Sequence, residues 1–179
     1  KWSIDGWSLS QGYEMKDHYY MLEWRSHNKT DAALQYCYNY INSILGIAEY
    51  YDYEPGLLVW YRDMSYDDNW VGEHPGHGFL SIVDSHAEPI MVNNNAVRTR
   101  IQTHDAAFNI DSILDKILTL GGQLTQIGQT DPVTVFDDSK DYWYADAPHA
   151  GVKVPRYGLK VQVQRNSEDY SIGEIKIYK

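Results

Sequence analysis

The sequence predicts a mainly β protein, an antiparallel β-sandwich with at most one or two short helices. Three observations carry that expectation. Short aliphatic and aromatic runs recur between clusters of Gly, Pro, Asn and Asp, as strands between turns do. The stretches "YGLKVQVQ" (157–164) and "SIGEIKIYK" (171–179) alternate apolar with polar residues around "RNSEDY", the pattern of a hairpin with one solvated face. The aromatic residues are 16 Tyr and 6 Trp against 3 Phe, and such polar-tipped rings suit half-buried strands.

Taken in order, "YYMLEW" (19–24) reads as a strand that ends in the polar loop "RSHNKTD". Residues 32–53, "AALQYCYNYINSILGIAEYYDY", fit either a helix or strands with a Tyr-rich insertion. "EPGLLVWYRD" is a strand launched from Pro55-Gly56. Its run Leu57–Tyr61 is almost continuously apolar, as expected of a strand covered on both faces, which places Trp60 in the core along with Trp24. "GFLSIVDS" is a further strand opening at Gly78. Ile110, Ile113, Leu114, Ile117 and Leu118 recur at helical spacing, with Gly121-Gly122 as a stop, so a short helix is expected there. No repeat, low-complexity tract or linker divides the chain, and the expectation is one domain over 1–179.

Composition narrows the function classes. A chain of 179 residues buries roughly two thirds of its unfolded surface and needs no disulfide to fold. The single Cys37 cannot form an internal one, and it reads as a small buried hydrophobe. Fifteen basic against 25 acidic residues give a net charge of −10, which disfavours nucleic acid and anionic membranes as partners. No segment approaches the ~20 apolar residues of a membrane span. The opening "KWSIDGWSLS" lacks the regions of a signal peptide and reads like the middle of a longer chain.

Four sets of residues are candidates for chemistry. "NWVGEHPGHGFLSIVDSH" (69–86) gathers His74, His77, Asp84 and His86, ligand types suited to zinc and so to a metal hydrolase. Pro75 and Gly76 between the first two histidines break any helix, which makes "HPGHG" a turn rather than a helical zinc motif. Asp84 and His86 share a strand face and need not meet the turn histidines. Two acidic loops offer oxygen ligands for calcium: Asp63, Asp67 and Asp68 in one, Asp137, Asp138 and Asp141, with Asp131 nearby, in the other. Neither matches an EF-hand, and Asp and Asn favour turns for their own reasons. Trp70 and Trp143, beside those loops, are the tryptophans placed for stacking on a polysaccharide. No G-x-S-x-G, phosphate-cradling glycine loop or H-E-x-x-H occurs in the sequence.

Longer blocks carry a resemblance. "EPGLLVWYRDMSYDDNWVGEHPGHGFLSIVDSH", "RTRIQTHDAAFNI" and "FDDSKDYWYADAPHAGVKVPRYGLKVQV" resemble the C-terminal part of immune inhibitor A, a family of secreted bacterial zinc metallopeptidases. The resemblance implies that the H-E-x-x-H zinc motif lies in a catalytic domain upstream, followed by a MAM-like β-rich domain. This chain is then a non-catalytic accessory domain of a secreted, extracellular protein, with no catalytic residue and no cofactor for catalysis of its own. Its implied partners are those upstream domains and the parent's protein substrates. His77 departs from the family pattern, in which an acidic residue often stands there.

Overall fold

The apolar run 57–61 forms the central strand of a sheet in the computed structural model, which describes residues 18–36, 38–42, 47–51, 54–92, 94–96, 103–111, 116–120, 123–127 and 130–179. In chain order the elements are β1 (His18–Arg25), a 3-10 helix (Lys29–Tyr36), β2 (Tyr38–Asn42), β3 (Ile47–Tyr51), β4 (Gly56–Asp63) and β5 (Leu80–Val83). Then come β6 (Met91–Val92), β7 (Asn95–Ala96), a 3-10 turn (Thr103–Asp105), β8 (Lys116–Leu120), β9 (Gln123–Ile127), β10 (Val135–Asp137), β11 (Lys160–Asn166) and β12 (Gly173–Tyr178). Among the described residues every strand pairing is antiparallel.

Two three-stranded sheets, β1-β4-β5 and β10-β11-β12, face each other across the core. Alternation along β4 explains how one strand serves two faces. Leu57, Val59 and Tyr61 join Val83, Phe108, Phe136, Val161 and Val163 in the cluster between the sheets. Leu58 points the other way, onto Ala106 and Ala107, with Trp60 and Ile82 packed around them. Leu57, Leu58 and Val59 are all buried, and burying each aliphatic side chain stabilises the fold by about 1.5–3 kcal/mol. Phe136 sits edge-on to both Phe108 and Tyr20, at centroid distances of 5.8 and 4.9 Å. The mainly β, sandwich-like fold is therefore the one the sequence predicts.

The C-terminal hairpin also forms as expected, β11 pairing with β12 through a turn in which Ser167 N–H donates to the Ile172 carbonyl at 2.9 Å. Three expectations change. Of the helix expected over 110–118, residues 116–118 lie instead on a strand: Ile117 and Leu118 belong to β8, opposite Gln126 and Thr125 of β9. A short apolar run fits both periods, and β-branched Ile117 and Thr119 ahead of Gly121-Gly122 favour a hairpin. Residues 112–115 and 121–122 lie outside the described residues. In the stretch 32–53 the described residues form the end of the 3-10 helix and the antiparallel pair β2–β3, with Cys37, 43–46 and 52–53 outside the described residues. Trp24 and Trp60 are half-buried at the margins of the two clusters, not in their centres. Each indole keeps its N–H bonded, Trp60 to Glu23 Oε2 and Trp24 to the Tyr170 carbonyl, both at 2.8 Å.

Candidate functional site

The loop between β4 and β5 holds the first acidic set and the "HPGHG" turn. Asp63, buried at the end of β4, accepts the Ser65 N–H at 2.8 Å and lies 3.3 Å from His18 Nδ1. Asp68 accepts the Trp70 N–H at 2.6 Å and meets His74 Nε2 at 2.9 Å, while Asp67 is exposed. His77 N–H donates to the His74 carbonyl at 3.0 Å and closes the turn. Gly76 there has φ 80°, and a Cβ on it would sit 2.7 Å from the Trp143 ring. Both imidazoles pack on Tyr66, at 4.7 and 5.3 Å between centroids. Burial, and then the nearby Lys153 charge, lower the His77 pKa. These contacts make the turn a braced structural element.

In the second acidic loop each carboxylate has its own partner. Asp137 accepts from Ser139 N–H and Oγ–H and pairs with Lys160 Nζ at 2.7 Å. The Lys160 bond first, then those from Ser139, hold its carboxyl down at about 2. Asp138 is fully buried and takes three backbone N–H bonds, from Tyr157 at 2.9 Å, Gly158 at 2.7 Å and Leu159 at 2.9 Å. Asp141 is bridged by Arg156. Of the two tryptophans, Trp70 is 64% exposed. Trp143 is half-buried, its N–H bonded to the Pro148 carbonyl at 3.1 Å and its ring capped by the Lys153 ammonium 4.1 Å from the centroid.

The side chains that do converge form a different set. Among the described residues one trio of metal-ligand types brings its ligand atoms within 4.8 Å of one another: Asp84, His86 and Asp105. The calcium candidates of neither loop gather that closely. Asp84 and His86 follow β5, and Asp105 ends the 3-10 turn Thr103–Asp105. Ser85 fastens the two segments, its N–H donating to the Ala106 carbonyl at 3.1 Å and its hydroxyl lying 2.8 Å from the Asp105 carbonyl. Asp84 and Asp105 are 4% and 1% exposed. Burial, then the Asp105 charge, push the Asp84 carboxyl well above the ordinary range, against the opposing bond from the His86 N–H. A cavity of about 460 Å³ adjoins the trio, lined by Ser85, His86, Asp105, Thr130 and Tyr142 among others. Sequence reasoning names Asp84 and His86 but misses Asp105. Its signal is a His-Asp pair directly ahead of the small apolar run Ala106-Ala107-Phe108.

Comparison with known proteins accounts for the length of the resemblance. The family described as "Immune inhibitor A-like metallopeptidase, VEG domain" matches residues 13–175. Immune inhibitor A of Bacillus thuringiensis subsp. alesti is 39% identical over 183 aligned residues, covering 98% of this chain and 25% of the relative. The pre-pro-metalloprotease PrtV of Vibrio cholerae serotype O1 is 34% identical over 180, covering 99% of this chain and 19% of the relative. The chain thus spans a quarter or less of the length of these relatives. With the family matched over most of its residues and both relatives aligned along nearly all of it, the chain belongs to the immune inhibitor A-like metallopeptidase family, as its VEG domain.

Proposed function

We propose that this chain is a non-catalytic accessory domain of a larger, secreted zinc metalloendopeptidase. In this reading proteolysis belongs to the parent's upstream catalytic domain, which holds the zinc, and this part gives structural support beside that domain and a MAM-like one. The observation that carries the reading is the pair of coverages: the alignment takes in 98% of this chain but 25% of its Bacillus relative. The braced loops support it, since Asp63, Asp68, Asp137, Asp138 and Asp141 are all engaged in bonds within the domain. Among the described residues no helix is long and apolar enough to cross a membrane.

The test is the parent enzyme with this domain intact and with Asp138→Ala, which removes a buried anchor. A supporting domain predicts lower secreted yield and a lower melting temperature. The turnover of a short peptide by the folded fraction should stay within a few-fold. Loss of turnover at unchanged stability contradicts it.

A second reading, a module that binds polysaccharide or a cell surface, is favoured by the exposure of Trp70. Tryptophan fluorescence titrated with polysaccharide tests it: a saturable change that Trp70→Ala abolishes supports the module, and a flat titration removes it. A free-standing hydrolase on the four residues of 74–86 has no such support. His74 and His77 pack on Tyr66, whereas Asp84 and His86 turn to Asp105.

A further inference from the structure

We propose that Asp84, His86 and Asp105 form a mononuclear site for a divalent metal of the zinc class, open on one side to the adjoining cavity. The donor set is one imidazole nitrogen and two carboxylate oxygens, contributed by the segment after β5 and by the Thr103–Asp105 turn. That mixture suits zinc, which takes nitrogen and oxygen ligands together, better than calcium, which prefers oxygen alone. The ligand atoms lie within 4.8 Å of one another, and a tetrahedral ion with ~2.0–2.1 Å bonds would draw them in by small side-chain rotations.

The ring of His86 is held at one nitrogen and turns the other toward the Asp105 carboxylate. Nε2 lies 2.7 Å from the Asp131 carbonyl oxygen, which only accepts, so that nitrogen carries a hydrogen. Such an outer hydrogen bond is the usual device for fixing the tautomer of a ligating histidine. The other nitrogen, Nδ1, then faces oxygens: the Asp105 carbonyl at 2.9 Å, Ser85 Oγ at 2.9 Å and Asp105 Oδ2 at 3.6 Å. The Asp105 carbonyl likewise only accepts, so without an ion Nδ1 carries a hydrogen too, and a bound ion would take that proton's place among the oxygens.

The cavity supplies an independent sign of a ligand. Thr130 Oγ1, which lines the same cavity as His86 and Asp105, is buried and has no hydrogen-bond partner among the described residues. A water on the ion's open position, or that position's ligand, gives it one. The burial of two carboxylates beside each other points the same way, because a divalent cation offsets both their desolvation and their mutual repulsion. The bound ion would tie the end of β5 to the Thr103–Asp105 turn.

The experiment is titration of the metal-free chain with zinc, followed by calorimetry, and with cobalt, followed by its visible absorption. The expected result is one ion per chain, a melting temperature raised by zinc, and cobalt bands of a nitrogen–oxygen site. Asp84→Asn and His86→Gln should each weaken zinc at least tenfold, while His74→Ala, on the turn, should leave it unchanged. If either site variant fails to fold, judged by near-ultraviolet circular dichroism, the wild-type stoichiometry and cobalt spectrum still decide. Zinc bound more weakly than about 10⁻⁴ M overturns the site, since a proton then supplies the charge. So does affinity unchanged in both site variants, or lost in His74→Ala.

Discussion

The indole N–H of Trp24 donates to the carbonyl of Tyr170 at 2.8 Å, joining residues 146 apart in the chain. The bond ties the end of β1, at the margin of one sheet, to the turn of the β11–β12 hairpin in the other. Asn28, four residues after Trp24, repeats the tie through its side-chain amide and the carbonyl of Asp169, the residue before Tyr170. Beneath the indole lies Gly173, the first residue of β12.

Gly173 is predicted to be intolerant of even one carbon. A Cβ there would lie 2.3–2.4 Å from three carbons of the Trp24 ring. Gly173→Ala should therefore cost about 1–3 kcal/mol through overpacking, read as a lower urea midpoint at an unchanged slope. An unchanged midpoint would mean that the indole moves aside freely and the tie is not structural.

Asp138 is predicted to be a structural anchor whose value does not depend on calcium. Its carboxylate is buried beneath three backbone donors at the approach to β11. Asp138→Ala leaves those N–H groups without their acceptor and should cost about 2–4 kcal/mol. Denaturation in calcium and in chelator should show the same loss. A loss seen only in calcium would make Asp138 a metal ligand instead.

Asp137 gives the stability a specific acid dependence. Its folded pKa, about 2, lies below the ordinary 3.8, so its contribution is present above 3.8 and is lost as pH falls from there towards 2. The Asp137–Lys160 pair is partly open to water, so the effect is modest. Asp137→Asn should flatten the stability profile in that window and leave its shape near neutrality alone. An identical acid slope in the variant would refute the assignment.

Calcium binding at the acidic loops is a proposal that melting curves decide. Asp137, Asp138 and Asp141 already hold Lys160, backbone donors and Arg156, so calcium would have to displace those partners. In the loop of Asp63, Asp67 and Asp68 the last two are exposed, and calcium would have to displace His74 from Asp68. Calcium at a hundred times its Kd should then stabilise the fold by about 2.7 kcal/mol. Magnesium should do less, and Asp67→Asn with Asp68→Asn should remove the effect. Superimposable curves in calcium and chelator would make both loops plain turns.

What the sequence shows of this fold follows the strength of each local pattern. The unbroken run Leu57–Tyr61 signals a strand covered on both faces, and the alternation in 157–164 and 171–179 signals the hairpin. Both form. Periodicity does not rank depth along a covered strand, so Trp60 reads like Leu58 although it lies at the margin of its cluster. The nine residues of 110–118 are too few to separate a helical from a strand period. At the candidate site, Asp84 and His86 stand out because they lie two apart after a strand. Asp105 approaches them only through tertiary packing, when Ser85 bonds the backbone at 105–107. Ligand sets assembled from separate segments leave little trace in a single sequence.

The central claim of the proposed function, that any peptidase activity lies outside this chain, is tested most directly by casein hydrolysis with the purified 179-residue chain. Zinc should be supplied in one arm and a chelator in the other, with a full-length family protease as the positive control. Without a zinc motif to position water and a general base, the chain should show background hydrolysis in both arms even if zinc occupies the Asp84 site. Hydrolysis above background that the chelator abolishes, zinc restores and Asp84→Asn removes would contradict the account.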